Sequence, residues 1–342
     1  MKSTLTSRER FLNACRCRPV DRPPVWLMRQ AGRYLPEYQA IRAKHNFITM
    51  ATTPELIVDI SLQPWRRFQM DAVIVFSDIL IPPRAMGMDL NFIEGEGPQF
   101  SNPIRTEKDI DALTLLNPAR DVPFLLQSLK ILRSELKNQA ALIGFAGAPW
   151  TTAAYMINGE IKDWILERPQ QLRKLLDKMT EAIGGYVAAQ IAAGVDVIQF
   201  FDTWGGLLTP EEFQEWSAPY LKKLIAKVRA TQTPTILFVK NSAPHLAGML
   251  ATDCDVISVS EETKIATARK IVGPQKSIQG NLDPQLLLTG TPDQVRTAAR
   301  ELLQTIAGHP GHIINLGHGV LPKTPVDNVA ALVETVRQHE HA

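Results

Sequence analysis

Eight short apolar runs, separated by longer stretches of helical periodicity, constrain the fold of this chain most strongly. In chain order they are PPVWLM (23–28), DAVIVFSD (71–78), ALIGFAG (141–147), VDVIQFFD (195–202), TILFVK (235–240), DVISVS (255–260), SIQGN (277–281) and HIINLG (312–317). The runs are continuously apolar, which is typical of parallel strands covered on both faces. Eight such strand–helix units in 342 residues predict an α/β fold, a (β/α)₈ TIM barrel. A doubly wound open sheet is the alternative.

The alternation of strands and helices predicts a single domain spanning residues 1–342, because no repeat, low-complexity tract or linker interrupts it. Residues 81–123 are rich in proline and glycine and predict an excursion between the second and third strands. The stretch TPEEFQEWSAPYLKKLIAKVRA (209–230) predicts a helix that opens with a Thr209-Pro210-Glu211-Glu212 start signal.

Positive charge is concentrated at the N-terminus although the whole chain carries a formal net charge of only +2. The first fifty residues hold ten Lys and Arg against three acidic residues, a net charge of +7. These arginines stand among Pro, Trp and Gly instead of in a run. The pattern favours a local anion site over RNA or membrane binding.

Three cysteines, Cys15, Cys17 and Cys254, form no disulfide framework and predict reduced thiols. No apolar run reaches the length of a membrane helix, and the first residues lack the apolar stretch of a signal peptide. A cytoplasmic protein that binds neither membrane nor nucleic acid is therefore expected.

The strongest functional signal is MRQAGRY (28–34), which follows the first apolar run. Chemistry in such barrels lies at the carboxyl ends of the strands. Arg29 and Arg33 flank Ala31-Gly32, where the backbone can approach a ligand, and Arg42 follows on the next predicted helix. The carboxyl ends of the strands together form the mouth of such a barrel. Several guanidinium groups at this mouth repel each other unless an anion is present, and Arg holds carboxylates in bidentate fashion. A polyanion with carboxylate or phosphate groups is expected.

Other polar residues near strand ends each allow two interpretations. Asp78 is either a salt-bridge partner of Arg29 or Arg33, or an acceptor for ligand N–H groups that also stabilises positive charge. Tyr155 is either a core residue or a pocket hydroxyl, and Thr203 either caps the next helix or faces the ligand. His318 stands between two glycines, which indicates tight backbone approach and an exposed imidazole, and the alternative is a structural histidine.

The sequence contains no complete motif for several other catalytic chemistries. Lys240 ends an apolar run and allows a Schiff-base hypothesis, but no partner set accompanies it. There is no His-Glu-x-x-His, no Walker loop, no dinucleotide Gly-x-Gly-x-x-Gly and no Gly-x-Ser-x-Gly elbow.

The chain resembles the uroporphyrinogen decarboxylase family from about Arg8 to about Val336. The blocks that carry the resemblance are RPPVWLMRQAGRYLPEY, VIVFSDIL, GFAGAPWTTAAYM, FFDTWGG, QGNLDP and NLGHGV, in the family's order. The resemblance implies a TIM barrel, usually a homodimer, that uses no metal and no organic cofactor. It also implies removal of CO₂ from the four acetate arms of uroporphyrinogen III, an eight-carboxylate tetrapyrrole, to give coproporphyrinogen III for haem synthesis.

The resemblance further implies residue roles in this sequence. Asp78 matches the acid under the macrocycle that accepts its pyrrole N–H groups, and Asp78 and Arg29 are the expected catalytic residues. The positions expected to bind substrate are Arg29, Gln30, Ala31, Gly32, Arg33, Arg42, Asp78, Tyr155, Thr203 and His318.

Two departures from the family pattern keep other functions open. MINGEIKDWILERPQQ stands where a longer Gly/Ser-rich loop is usual, and ISVSEET where Gly-Leu-Asp-Trp is common. One alternative is a corrinoid-linked methyltransferase of the same fold, which needs a His-x-Cys and a later Cys as zinc ligands. Lys240-Asn241-Ser242 holds no cysteine at the strand-five exit. The other is a non-catalytic tetrapyrrole-binding protein, which would tolerate loss of Asp78.

Overall fold

A parallel seven-stranded sheet is the centre of the computed structural model, which describes residues 5–93, 97–159 and 161–339. The strand order is β1-β4-β5-β6-β7-β8-β9, and each neighbouring pair is parallel. Its strands are β1 (Ala72–Ile74), β4 (Ala141–Gly147), β5 (Val197–Asp202), β6 (Thr235–Val239), β7 (Val256–Ser258), β8 (Ser277–Gln279) and β9 (His312–Ile313). This confirms an α/β fold with a parallel sheet. The order never reverses, whereas a doubly wound sheet requires a reversal.

The predicted excursion lies between β1 and β4 and contains a short antiparallel hairpin. Its strands are β2 (Leu90–Ile93) and β3 (Gly97–Phe100). Part of the excursion, residues 94–96, lies outside the described residues, as do the ends of the predicted domain at 1–4 and 340–342 and residue 160 of the unusual loop.

Helices cover the sheet, and many begin at a proline because the first helical position needs no N–H donor. In the described residues they are α1 (Ser7–Cys15), α2 (Pro36–Arg42), α3 (Phe47–Thr52), α4 (Pro54–Phe68), α5 (Ile81–Ala85), α6 (Glu107–Ala112), α7 (Pro118–Asp121), α8 (Pro123–Leu136), α9 (Pro149–Met156), α10 (Ile161–Glu167), α11 (Pro169–Ala192), α12 (Pro210–Trp216), α13 (Ala218–Arg229), α14 (Leu246–Ala251), α15 (Ile265–Val272), α16 (Pro284–Thr289), α17 (Pro292–Thr305) and α18 (Val326–Arg337). Two 3₁₀ helices span Trp204–Leu207 and Ala243–His245. None of these helices is long and apolar enough to cross a membrane.

The first predicted strand is replaced by a single bridge. Val25 pairs in parallel with Ile314, and the Pro24 carbonyl accepts the Ile314 N–H at 2.8 Å. On the other side, the Val25 carbonyl accepts the Asp71 N–H at 2.9 Å. The segment therefore lies between the two edge strands β9 and β1. It does not form a regular strand because Pro23 and Pro24 have no N–H groups to donate to a ladder.

Part of the basic N-terminal segment is structural, which corrects the prediction that its arginines serve an anion site. Arg10 and Arg22 both pair with Asp71, at 2.9 and 2.7 Å, and the Asp71 carboxylate is fully buried. Arg8 pairs with Asp196 at 2.7 Å. Asp71 and Asp196 precede β1 and β5, so these pairs lie at the amino ends of the strands, away from the expected site.

Candidate active site

The predicted site residues gather where the carboxyl ends of the strands meet. Arg29 lies in a turn with φ +60°, the left-handed conformation that few side chains adopt readily. The loop after β9 packs onto this turn, because the Val320 N–H donates to the Met28 carbonyl at 2.9 Å. At Gly319 the backbone is so close that a Cβ would lie 2.5 Å from Arg29 Cδ. The two most separated motifs of the sequence are thus in direct contact.

Arg29 is the electrostatic centre of this mouth. Surrounding protein and the neighbouring Arg33 cation lower the pKa of Arg29, while Tyr155 and Asp78 oppose that shift. Three of the predicted residues therefore act on the Arg29 guanidinium group. In the described part of the chain, neither Arg29 nor Arg33 forms an ion pair with a protein carboxylate. Two neighbouring cations without a carboxylate partner suit an anionic ligand.

Asp78 is a half-buried carboxyl group close to these cations. Its Oδ1 accepts the Leu80 N–H at 2.8 Å. Burial raises the pKa of Asp78 to about 6, although the Leu80 N–H and Arg29 both act in the opposite direction. Asp78 forms no ion pair among the described residues, so the salt-bridge interpretation is not what the structure shows. Its second oxygen remains available to a ligand donor.

His318 is half-buried and not exposed as predicted, and packing explains both of its flanking glycines. Gly317 packs directly against Glu261, and Gly319 packs against Arg29, so neither position has room for a side chain. The imidazole meets the ring of Phe238 edge-on, with centroids 5.8 Å apart. Burial, Arg29 and Lys240 lower the pKa of His318 to about 4, so the ring is neutral at neutral pH.

Tyr155, after β4, contacts the segment that follows β5 and begins at Thr203. Tyr155 is half-buried on α9, and its ring meets that of Trp204 edge-on at 5.7 Å. Thr203 starts the 3₁₀ helix but its side chain forms no capping hydrogen bond. Thr151 takes that role, because its hydroxyl accepts the Trp204 N–H at 2.9 Å. The capping interpretation of Thr203 is therefore wrong.

The structure gives the Gln30 side chain a positioning role instead of the predicted substrate contact. The side chain is fully buried. Its Nε2 donates to the Ala72 carbonyl at 3.1 Å, and its Oε1 accepts the Leu27 N–H at 3.1 Å. Both ends of the amide are used by the backbone, which fixes the arginine-bearing turn to β1.

The backbone after Gln30 is better suited to a ligand than the Gln30 side chain. In the described residues, the N–H groups of Ala31, Gly32 and Arg33 donate to no protein acceptor. Ala31 and Gly32 are half-buried, and a Cβ on Gly32 would lie 3.0 Å from the Arg29 carbonyl oxygen. Consecutive unbonded N–H groups beside cations are a typical setting for carboxylate oxygens.

Arg42 extends the basic surface, and Tyr38 connects it to Arg33. Both arginines are exposed, and Arg42 lies in the last turn of α2. Burial raises the pKa of Tyr38, while Arg42 and Arg33 oppose that shift, so Tyr38 lies near both. Sequence reasoning missed Tyr38. Its spacing of four residues from Arg42 on one helix was the available signal, since residues at that spacing share a face.

Nearly the whole chain matches a known family. The family model described as "Uroporphyrinogen decarboxylase (URO-D)" matches residues 6–339.

The chain belongs to the uroporphyrinogen decarboxylase family.

Similar proteins include the uroporphyrinogen decarboxylase of Nitrosococcus oceani, 43% identical over 342 residues that cover 96% of this chain and 96% of the relative. The uroporphyrinogen decarboxylase of Geobacter metallireducens is 44% identical over 336 residues, covering 96% of this chain and 98% of the relative. Coverage of this extent confirms the resemblance seen in the sequence blocks.

Among solved structures, a methyltransferase from Methanosarcina mazei superposes with a TM-score of 0.85 at 24% identity. The match covers 98% of this chain and 99% of that chain. At this identity the likeness shows a shared fold alone. In residues 5–93, 97–159 and 161–339, no three His, Cys, Asp or Glu side chains are grouped so that they could hold a metal ion.

Proposed function

We propose that this member of the uroporphyrinogen decarboxylase family removes CO₂ from the four acetate arms of uroporphyrinogen III and yields coproporphyrinogen III, without a cofactor. Family membership over nearly the whole chain supports the reaction. Within the site, the proposal rests on Asp78, a half-buried carboxyl group that lies beside Arg29 at the mouth and forms no ion pair among the described residues. A polycarboxylate with pyrrole N–H donors needs both kinds of group.

Substrate binding is assigned to cations and backbone donors at one side of the mouth. Arg29, Arg33 and Arg42 bind peripheral carboxylates, and the N–H groups of Ala31 and Gly32 supply further donors. Tyr155, Thr203 and His318 add a phenol, a hydroxyl and a neutral imidazole. Asp78 accepts pyrrole N–H groups, which leaves the reacting acetate oriented by arginines.

The chemistry needs an electron sink, and the pyrrole ring can supply it. Protonation of the ring carbon next to the one that bears the acetate gives a cationic ring whose positive charge reaches the acetate-bearing carbon. The C–CO₂⁻ bond then breaks, its electron pair forms an exocyclic C=C bond that neutralises the ring, and CO₂ leaves. A second proton adds to the exocyclic carbon to complete the methyl group, and loss of the first proton from the ring carbon restores the aromatic pyrrole. The Asp78 carboxylate stabilises the ring cation at short range in a partly desolvated site. Arg29 assists as the group that holds the reacting carboxylate.

The first proton donor is chosen between two titratable groups of the mouth, His318 and Asp78. With a pKa of about 4, His318 is neutral near pH 7 and is a poor acid. Asp78, with a pKa of about 6, is protonated in about a tenth of molecules at pH 7. Asp78 is therefore the better candidate for delivering the proton and then acting as the stabilising carboxylate.

We also infer that the sheet closes as a (β/α)₈ barrel in one domain over residues 1–342, with an excursion at 81–123. The hydrogen bonds of Pro24 and Val25 to residues beside both edge strands support closure. The segment 23–28 then takes the position of the eighth strand. A homodimer in the cytoplasm, without nucleic-acid or membrane partners, completes the proposal. Light scattering in solution tests the oligomeric state.

The zinc-dependent methyltransferase alternative needs cysteine ligands at the mouth, and the three cysteines of the chain lie elsewhere. Cys254 is buried and precedes β7, so it lies at the amino end of the sheet. Cys15 and Cys17 belong to the N-terminal α1 region. A thiol-activating zinc site in this fold would need cysteines at the opposite, carboxyl end.

The proposed function is tested by anaerobic incubation of the chelator-treated chain with uroporphyrinogen III and chromatography of the oxidised porphyrins. Products with seven, six, five and then four carboxylates are expected as the acetate arms are lost one at a time. Unchanged substrate in the presence of folded protein would contradict the proposal. Zinc-dependent methyl transfer to a thiol would favour the methyltransferase alternative.

A further inference from the structure

Lys240 is a cation at the mouth that none of the roles above uses. It follows directly on the last residue of β6, and its side chain is exposed. It forms no ion pair with any residue of the described chain. Its backbone is tightly held, because a Cβ on Gly206 would overlap the Lys240 carbonyl oxygen. A fixed backbone that carries an unpaired cation indicates a side chain directed at something outside the protein.

The strand geometry places Lys240 on the site's side of the sheet. Side chains two residues apart on a strand share a face. Phe238, two residues before Lys240, is buried, and its ring contacts those of His318 and Phe201 at centroid distances of 5.8 and 5.9 Å. β6 ends at Val239, and continuing its alternation by one residue puts Lys240 on the same face, one step nearer the mouth.

Electrostatics agrees with this placement. The charged groups that face His318 are Arg29 and Lys240, and both lower the pKa of its imidazole. Glu261 packs against the adjoining Gly317. β6 is the fourth of the seven strands in the sheet, whereas the Arg29 turn lies between the two edge strands. Lys240 and Arg29 thus approach the same imidazole from two separate parts of the mouth.

We propose that Lys240 binds a carboxylate arm of the substrate on the side of the mouth away from the Arg29 turn. This inference rests on the proposed function for the identity of the substrate, a tetrapyrrole with carboxylates around its whole rim. Arg29 and the arginines near it can bind carboxylates on only one side of such a ring. A lysine ammonium is a point charge on a flexible stem, so it can follow an arm as the ring is turned between successive decarboxylations.

The Schiff-base hypothesis for Lys240 gives a different expectation. An amine that forms a covalent imine cannot be replaced by a guanidinium group. A carboxylate-binding cation can be replaced by one, with some loss of fit. Lys240→Arg therefore separates ion pairing from covalent catalysis.

The test compares Lys240→Met, Lys240→Gln and Lys240→Arg in the full-length chain, with Lys222→Met as the matched control. Lys222 is exposed on the outer helix α13. We expect Lys240→Met and Lys240→Gln to raise KM for uroporphyrinogen about tenfold or more, with kcat changed less than about threefold. Lys240→Arg should retain most of the affinity, and Lys222→Met should match the parent chain.

Two readouts do not depend on turnover. Binding of uroporphyrin, the oxidised ring with the same carboxylates, is followed by quenching of tryptophan fluorescence and should weaken about tenfold in Lys240→Met. The pKa of His318, measured by NMR, should rise when the Lys240 cation is removed. If the parent chain binds uroporphyrin but shows no decarboxylation, the proposed function fails while binding still decides the role of Lys240. Unchanged KM and uroporphyrin affinity in Lys240→Met, or equal losses in Lys240→Met and Lys240→Arg, would overturn the inference.

Discussion

Opposing effects of the surroundings act on the pKa of the Asp78 carboxyl group. Burial disfavours its charge, whereas Arg29 and the Leu80 N–H favour it. Burial prevails, and the pKa of about 6 lets one group carry a proton in part of the population and a negative charge in the rest. A mechanism that alternates between protonating a ring and stabilising the resulting cation needs such a group.

The pH dependence of catalysis should report this carboxyl group. As the donor of the first proton, Asp78 must be protonated in the free protein, so kcat/KM should fall about tenfold per pH unit above about pH 6, the pKa of Asp78. His318, with a pKa of about 4, titrates too low to produce this limb. The measurement is kcat/KM between pH 5 and pH 8. The surface variant Asp59→Asn should keep the limb, and a flat profile through pH 6 would contradict the assignment.

Arg29 should matter for both binding and turnover. We expect Arg29→Ala to lower kcat/KM about a hundredfold, because a charge-assisted contact to a carboxylate is lost where the reacting arm is held. Arg29→Lys should recover only part of this loss, since an ammonium group cannot pair in bidentate fashion. Steady-state kinetics with Arg300→Ala, on the outer helix α17, as the control would check this. Unchanged kinetics in Arg29→Ala would remove it from the site.

At the scale of elements, the loop after β9 should control the position of the Arg29 side chain. A Cβ at position 319 would lie 2.5 and 2.7 Å from Arg29 Cδ and Cγ. We expect Gly319→Ala to displace that side chain and lower kcat/KM about tenfold or more, with a small change in melting temperature because a side chain can move.

The matched control is Gly185→Ala on α11, where a Cβ would meet no atom within 4 Å. Kinetics should be unchanged there, and stability should rise by about 0.5–1 kcal/mol because alanine favours the helix. If Gly319→Ala kept full activity, the contact between the two motifs would have no functional consequence.

Periodicity predicted the elements well where the chain forms regular ladders. β4 matches its predicted run at both ends, and the capping box of Thr209 and Glu212 confirms the predicted start of α12. The predicted helix 209–230 is interrupted at Ser217, whose hydroxyl donates to the fully buried Asp202 carboxylate at 2.5 Å. That contact joins residues from β5 and the α12–α13 junction. Local sequence pattern carries no signal for such a tertiary contact.

At the scale of the whole molecule, Asp71 connects the first segment of the chain to the sheet. It pairs with Arg10 and Arg22 and also accepts the Val25 N–H at 2.9 Å. We expect Asp71→Asn to lower the free energy of unfolding by about 3–5 kcal/mol, since it leaves the buried Arg22 without a carboxylate and Arg10 with Asp21 alone.

Urea denaturation measures this loss, and kinetics under conditions where the variant is folded should be close to those of the parent chain. Asp71 lies at the amino ends of the strands, remote from the mouth. A large rise in KM with unchanged stability would contradict its structural role.

The convergence of the site was predictable because parallel strands share one carboxyl edge. Arg29, Asp78 and His318 were placed together on that basis, and the structure brings them together. The environment of individual side chains was not predictable. Gln30 lies in the same motif as the arginines, yet its amide is buried against β1. Which side chain of a turn faces inward depends on contacts with distant strands, and sequence spacing does not encode them.

The most direct measurement is the turnover of Asp78→Asn with saturating uroporphyrinogen III, compared with its affinity for uroporphyrin. We expect kcat to fall about a hundredfold or more, because the neutral amide cannot stabilise the ring cation, with affinity for the oxidised ring changed only a few-fold. The variant should be at least as stable at pH 7, since a desolvated charge is removed. Full turnover in this variant would contradict the central role of Asp78.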